Sequence, residues 1–235
     1  IVGRLRKGID YLFRSGGIDL YKGTGRIPAP GMVRVFTEDG ASDIRAQKIL
    51  IATGSRPAIP PIDGADSPGI MTSDELLDLR GQSPVSLIII GGGVIGLEFA
   101  SLFADLGCQV TVIEAMERLL PQMDADLGQA AAAMLKKKKV AIHTSARAER
   151  IEQAAGGLRC LFEAKGKKQE AWSERLLIAV GRRPNTEGLF EDGKAPTMRQ
   201  GALIVDRDFS TSLPGVYAVG DVIGGIQLAH LASAQ

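Results

Sequence analysis

The chain has 235 residues, 45% of them apolar and 23% charged, with a formal net charge of +1 at pH 7. That length supports one or two domains with a sizeable core, and the near-neutral balance argues against nucleic acid or an anionic membrane as a partner. No apolar run approaches a membrane span and no secretory signal is evident. The two cysteines, Cys108 and Cys160, stand far apart and outside any C-x-x-C pattern. They read as reduced, inert thiols of a cytoplasmic compartment, with no metal site.

Residues 1–15 predict an amphipathic helix, with Val2, Leu5, Ile9, Leu12 and Phe13 on one face and Arg4, Arg6, Lys7 and Arg14 around the rest. The basic side fits the solvated face of a packed helix better than a membrane or partner surface. From Ile18 short alternating strands are expected at 18–21, 32–37 and 42–46, separated by turns at 22–25 and 28–31. They lead into a fully apolar strand over Lys48-Ile49-Leu50-Ile51-Ala52-Thr53-Gly54-Ser55-Arg56-Pro57, and the proline-rich run to Pro61 reads as a linker or domain crossing. Ser73 is expected to cap a short helix with Leu76, Leu77 and Leu79 turned inward.

The segment Leu87-Ile88-Ile89-Ile90 then predicts a buried strand, followed by Gly91-Gly92-Gly93-Val94-Ile95-Gly96 and helical apolar spacing through Leu106. The glycines occupy the G-x-G-x-x-G positions as Gly91, Gly93 and Gly96. Gly91 permits a tight turn, Gly93 has no Cβ to keep a pyrophosphate off the backbone, and Gly96 lets helix and strand pack closely. Free amides at the helix start, with the positive end of its dipole, would face phosphates. A second parallel strand, 109–114, ends in the carboxylate of Glu114 about 20 residues beyond the glycines, as a dinucleotide fingerprint requires. Its carboxylate suits adenosine ribose hydroxyls and repels a 2′-phosphate, which favours NAD. Arg118 is the one signal for NADP.

A helix is expected over 124–138. The lysine run 136–139 is read as its solvated end rather than as a nucleic-acid contact. A strand meander follows at 140–144, 148–152, 158–164 and 169–173 and closes in 175–184. That closing segment repeats the Leu, Ile, Ala, Gly, Arg and Pro positions of 48–57, so the chain reads as two copies of one dinucleotide-binding design. The first copy's own glycine loop is expected upstream of Ile1, roughly 35 or more residues away. Both ends accordingly read as cut. Strands are expected at 201–209 and 216–221, the latter ending in Asp221 at a position where ligand hydroxyls are gripped, with a helix from 228.

Taken together, 22–25, 51–55, 90–98, 110–121, 180–186, 214–221 and 227–230 resemble the two-dinucleotide flavoprotein disulfide reductases, most closely the dihydrolipoamide dehydrogenase branch. The resemblance implies an α/β fold: a Rossmann-like NAD-binding domain, with a parallel sheet plus three-strand meander, and the remainder of a similar FAD-binding domain. The expected boundaries are 1–80 for part of a first FAD segment, 81–200 for the NAD domain and 201–235 for a second FAD segment. It implies NAD contacts from Gly91, Gly92, Gly93, Val94, Ile95, Gly96, Leu97 and Glu98, with Glu98 near the nicotinamide, Glu114 on the ribose, and Ala148 and Gly181 lining the cleft. FAD contacts would come from Gly25, Thr53, Gly54, Ser55, Asp221, Gln227, Leu228, Ala229 and His230.

By the same resemblance, intact relatives pass electrons from dihydrolipoamide through a disulfide and FAD to NAD. They act as homodimers serving the lipoyl domain of a 2-oxo acid dehydrogenase complex. The redox C-x-x-x-x-C pair and the His-Glu base pair of such proteins have no counterpart here, so no catalytic residue is assigned. The alternatives are another disulfide reductase, of mercuric or glutathione type, a transhydrogenase, or a nucleotide-binding piece without chemistry.

Overall fold

A computed structural model describes residues 2–235; Ile1, placed by the sequence in the first helix, lies outside the described residues. The opening helix, α1 (Val2–Ser15), buries none of its side chains. Three antiparallel strands follow, β1 (Thr24–Ala29), β2 (Met32–Thr37) and β3 (Gly40–Arg45), then the short β4 (Ile49–Ile51). The expected strand at 18–21 does not form. The first strand starts at Thr24, paired with Phe36, and runs through the stretch read as turns. Gly23 stands where the chain enters this sheet, so close that a methyl group there would overlap the Phe36 carbonyl oxygen. This glycine therefore serves close approach rather than a turn.

The packing divides the chain into two units, one of residues up to Ser55 together with Pro184–Gln235, the other Arg56–Arg183. The chain crosses at β5 (Ser55–Pro57) and returns later. In the Arg56–Arg183 unit come β6 (Ile70–Met71), α2 (Ser73–Leu77), β7 (Ser86–Ile90), α3 (Val94–Asp105), β8 (Gln109–Ile113), α4 (Ala125–Lys137) and β9 (Ala141–His143). A three-strand meander follows, β10 (Ala146–Ala154), β11 (Gly157–Ala164) and β12 (Lys167–Ser173), then β13 (Arg175–Ile178) and the return strand β14 (Arg182–Pro184). The parallel sheet has the order β6-β13-β7-β8-β9. The strand expected at 140–144 is thus an edge of this sheet, pairing with β8 in parallel, and not a member of the meander.

β7 is central, and that explains its unbroken apolar sequence. Leu87 and Ile89 face a layer formed with Leu97, Ala100 and Phe103 of α3 and Leu135 of α4. Ile88 and Ile90 face the other way, onto Ile151, Leu158, Cys160 and Phe162 of the meander. Side chains alternate across a strand, so four consecutive apolar residues are needed when both faces are covered. In α2, Thr72 rather than Ser73 is the N-cap, in a capping box with Glu75. Leu76 is buried, but Leu77 and Leu79 point outward, since a helix this short buries a single turn.

Pairing of β6 with β13 ties residues near 70 to the parallel sheet. The compact unit therefore begins at Arg56 and ends at Arg183, whereas the sequence suggested boundaries at 80/81 and 200/201. Beyond the return come β15 (Met198–Arg199), β16 (Ala202–Leu203), β17 (Val216–Ala218), a 3-10 turn over Gly220–Ile223 and α5 (Ala229–Ala234). The strand expected over 201–209 is cut to its first residues, because Phe209 takes a left-handed conformation and Asp206 caps the turn that reverses the chain. β17 pairs in parallel with β4. In each unit, then, an antiparallel meander leads into a strand of a parallel pairing and on to a glycine at positive φ, Gly54 or Gly181. Among the described residues, no helix is long and apolar enough to cross a membrane.

Candidate functional site

In the Arg56–Arg183 unit the site is built at the carboxyl ends of β7 and β8, where an open parallel sheet presents its crevice. Gly91 leaves β7 at φ 116, and its N–H donates to the Ile113 carbonyl at 2.9 Å. A methyl group at Gly91 would overlap the Ala179 carbonyl, and one at Gly96 would overlap the carbonyl of Gly91 itself. Both are places where backbone meets backbone. At Gly93 the outcome is opposite: a methyl group would meet nothing within 4 Å. No protein atom crowds the backbone at that glycine.

Gly93 is also the N-cap of α3, and it supplies no side-chain cap. Its carbonyl accepts from Leu97 N–H at 3.0 Å, so the amides of Gly93, Val94, Ile95 and Gly96 precede the first intrahelical bond and have no intrahelical acceptor. The side chain of Leu97 belongs to the core, while those of Val94 and Glu98 are exposed. This short run thus offers backbone N–H groups and the positive end of a helix to an anion.

Glu114 stands directly beside the loop. Its carboxylate, 7% exposed, accepts from Gly92 N–H at 2.5 Å through one oxygen and from Met116 N–H at 2.7 Å through the other. Its own backbone is fixed by His143 and Ala146. Each carboxylate oxygen has a further lone pair, which leaves Glu114 able to accept from ligand hydroxyls while holding the loop. Arg118, the one signal for a 2′-phosphate, donates instead to the carbonyls of Leu120 and Pro121 at 3.3 and 3.0 Å. Leu120 N–H in turn donates to the Gly92 carbonyl at 2.9 Å.

Ala148 is buried on β10 at a register shift, and Gly181, at φ 124, is exposed and accepts from Ala58 N–H at 2.9 Å. The two thiols are shielded from chemistry. Burial pushes Cys108 up to about 11, helped by the negative charge of Glu174, and pushes Cys160 up to about 12. Burial also lowers His143, which packs edge-on against Phe162.

The other unit carries a second cluster at the carboxyl ends of β4 and β17. Ser55 Oγ donates to Asp221 Oδ2 at 2.5 Å. Gly54 and Asp221 line a hollow of about 330 Å³ with Ala52, Gly220, Ala232 and Ser233. Thr53 does not face that hollow with its hydroxyl; it donates to the Asn185 carbonyl at 2.8 Å, and Asn185 N–H donates back to Gly54 at 2.9 Å. Leu228 caps α5, whose later residues wall the hollow, while Ala229 and His230 are exposed and Gln227 is half-buried. Gly25 lies exposed on β1 opposite Val35 and outside the hollow's lining.

Sequence reasoning gave no structural task to Asn185, Arg118 or Leu120. A signal for the last was present: Leu119-Leu120 is an apolar pair in a largely polar stretch, and Leu119 is 1% exposed.

The family model for pyridine nucleotide-disulphide oxidoreductases matches residues 1–235. A dihydrolipoyl dehydrogenase of Bacillus subtilis is 36% identical over 99% of this chain and 51% of its own length. Dihydrolipoyl dehydrogenase 3 of Pseudomonas putida is 37% identical over 97% and 49%. Among solved structures, LpdA from Mycobacterium tuberculosis aligns with a TM-score of 0.87 at 30% identity, covering 99% of this chain and 52% of the other. The HOCl-induced flavoprotein disulfide reductase RclA from Escherichia coli aligns at 0.84 and 31%, covering 98% and 54%. The chain spans about half the length of these relatives. Members of the matched family use FAD and NAD. By sequence along its whole length and by fold, this chain belongs to the pyridine nucleotide-disulphide oxidoreductase family.

Proposed function

We propose that the Arg56–Arg183 unit binds NAD and that the hollow beside Asp221 takes part of an FAD, within an oxidoreductase of the dihydrolipoyl dehydrogenase type. The carrying observation is the closure of Glu114 onto Gly92, which sets a carboxylate acceptor beside amides that have no intrahelical acceptor. The amides of residues 93–96 would hold the diphosphate, Glu114 the adenosine ribose, and the exposed Glu98 the neighbourhood of the nicotinamide, with Ala148 and Gly181 along the cleft. Arg118 is committed to two carbonyls, which supports NAD over NADP.

In the other unit, Asp221 would accept from hydroxyls of the flavin cofactor, with Gly25, Thr53, Gly54, Ser55 and 227–230 around it. When bound, FAD supplies the electron relay between a dithiol and NAD. This chain's own residues bind and orient; neither buried thiol suits the disulfide of that relay. The whole-protein reading is electron transfer from dihydrolipoamide to NAD, in a homodimer serving a lipoyl domain in a cytoplasmic setting.

Titration of the chain with NADH and NADPH tests the reading. Saturable NADH binding that exceeds NADPH binding is expected. Equal affinity, or none for either, would overturn it. Lipoamide-dependent NADH formation by these residues alone is expected to be absent.

A further inference from the structure

We infer that Arg118 is a positioning residue for the diphosphate loop, acting through Leu120 on the Gly92 peptide; the inference rests on the NAD reading above and extends it. The peptide groups flanking Gly92 set the direction of the amides that follow, and the residue is held on both sides. Glu114 takes its N–H, and Leu120 N–H donates to its carbonyl at 2.9 Å. A Cβ on Gly92 would stand 2.6 Å from Cδ2 of the buried Leu119 and 3.0 Å from the Glu114 side chain. Gly92 is thus bonded on both sides and crowded where a side chain would start.

Leu120 performs this task from φ 50, a left-handed conformation that side-chain-bearing residues seldom adopt unless something holds them there. The holding group is the Arg118 guanidinium. Its two terminal nitrogens fork onto the carbonyls of Leu120 and Pro121, and Met123 N–H adds a bond to Leu120 at 3.0 Å. A planar fork with fixed donor directions can close such a turn, whereas an ammonium, a point donor on a flexible stem, cannot grip both carbonyls in the same way. Behind the turn, α4 approaches so closely at Gly128 that a methyl group there would overlap the Leu119 carbonyl. The turn is therefore packed tightly against α4 on one side and bonded to the loop on the other.

Arg118→Ala and Arg118→Lys in the full 235-residue chain test this, read by amide exchange without ligand and by titration with NADH, NADPH and ADP-ribose. In Arg118→Ala the Leu120 amide should exchange faster while the centre of α3 stays protected. Affinity for NADH and for ADP-ribose should fall by the same factor, about tenfold. Arg118→Lys, which keeps the charge and the stem, should show the same changes at smaller size. Unchanged Leu120 exchange or unchanged NADH affinity in either folded variant overturns the inference. So does an affinity for NADPH that falls more than that for NADH, since the arginine would then meet a 2′-phosphate directly. Failure of the unaltered chain to bind NADH or ADP-ribose overturns the NAD reading and this inference with it. Normal binding by the unaltered chain with indifferent variants overturns the inference alone.

Discussion

Replacing Glu114 by glutamine tests the closure of the loop with the smallest change of shape. The carboxylate gives one oxygen to each of two amides, Gly92 N–H at 2.5 Å and Met116 N–H at 2.7 Å, at a site 7% exposed. A side-chain amide of the same outline keeps one acceptor and turns its NH2 against a backbone N–H, donor facing donor. One buried amide then lacks a partner, at about 1–3 kcal/mol. The surviving bond drops from charge-assisted to neutral, roughly 1 kcal/mol more. Both bonds are made in the ligand-free chain, so the total of about 2–4 kcal/mol falls on folding stability, and the displaced Gly92 peptide weakens NADH binding besides. A fall of about 4–16 °C in melting temperature is expected from the size of the chain, together with a loss of NADH affinity of about tenfold or more. Loss of the negative charge should also narrow the preference for NADH over NADPH. Calorimetric melting and a fluorescence titration of NADH read both quantities. A glutamine variant with the unaltered melting temperature and NADH affinity would refute the claim that this carboxylate holds the loop.

The glycines of the loop separate stability from binding. Gly96→Ala forces a methyl group into the Gly91 carbonyl and should cost about 1–3 kcal/mol of stability, whereas Gly93→Ala, which meets open space, should melt close to the unaltered chain yet bind NADH poorly; a melting scan beside a titration distinguishes them. Cys108 and Cys160 should resist a thiol reagent at pH 8 until the chain is unfolded, and rapid modification of the native chain would contradict their burial. Because folding raises both thiols from 9.0 to about 11 and about 12, the unfolded chain ionises first. Their contribution to stability is therefore complete below pH 9 and is lost as the pH rises towards 11 and 12, which alkaline denaturation curves can follow. Leu5 and Leu12 of α1 are each 64% exposed, so the chain should associate as its concentration rises, and Leu5→Glu with Leu12→Glu should reduce that association in sedimentation velocity.

The strand, glycine-rich loop and helix were legible because their requirements are local. A buried strand on both faces needs an unbroken apolar run, a helix packed across a turn needs glycine at close approaches, and both leave their mark within the span from Leu87 to Ala100. The repetition of 48–57 in 175–184 likewise foretold two meanders, each leading into a strand and a glycine at positive φ. Strand membership was less legible. Residues 140–144 carry the same apolar texture as the meander they precede, and only pairing with β8 assigns them to the parallel sheet. Glycines at 23 and 25 resemble turn residues in sequence, yet one permits close approach and the other lies within β1.

From the sequence alone came the family, the loop, the acidic residue that follows it and the inert character of the thiols, because composition and short-range spacing dictate them. What tertiary structure decided was which groups face each other: that Glu114 grips Gly92, that Arg118 turns to the carbonyls of Leu120 and Pro121, and that Asn185 clasps Thr53 and Gly54 from more than a hundred residues away. Hydrogen bonds between distant segments depend on direction and distance set by the packed sheet, and residue order in the chain carries neither.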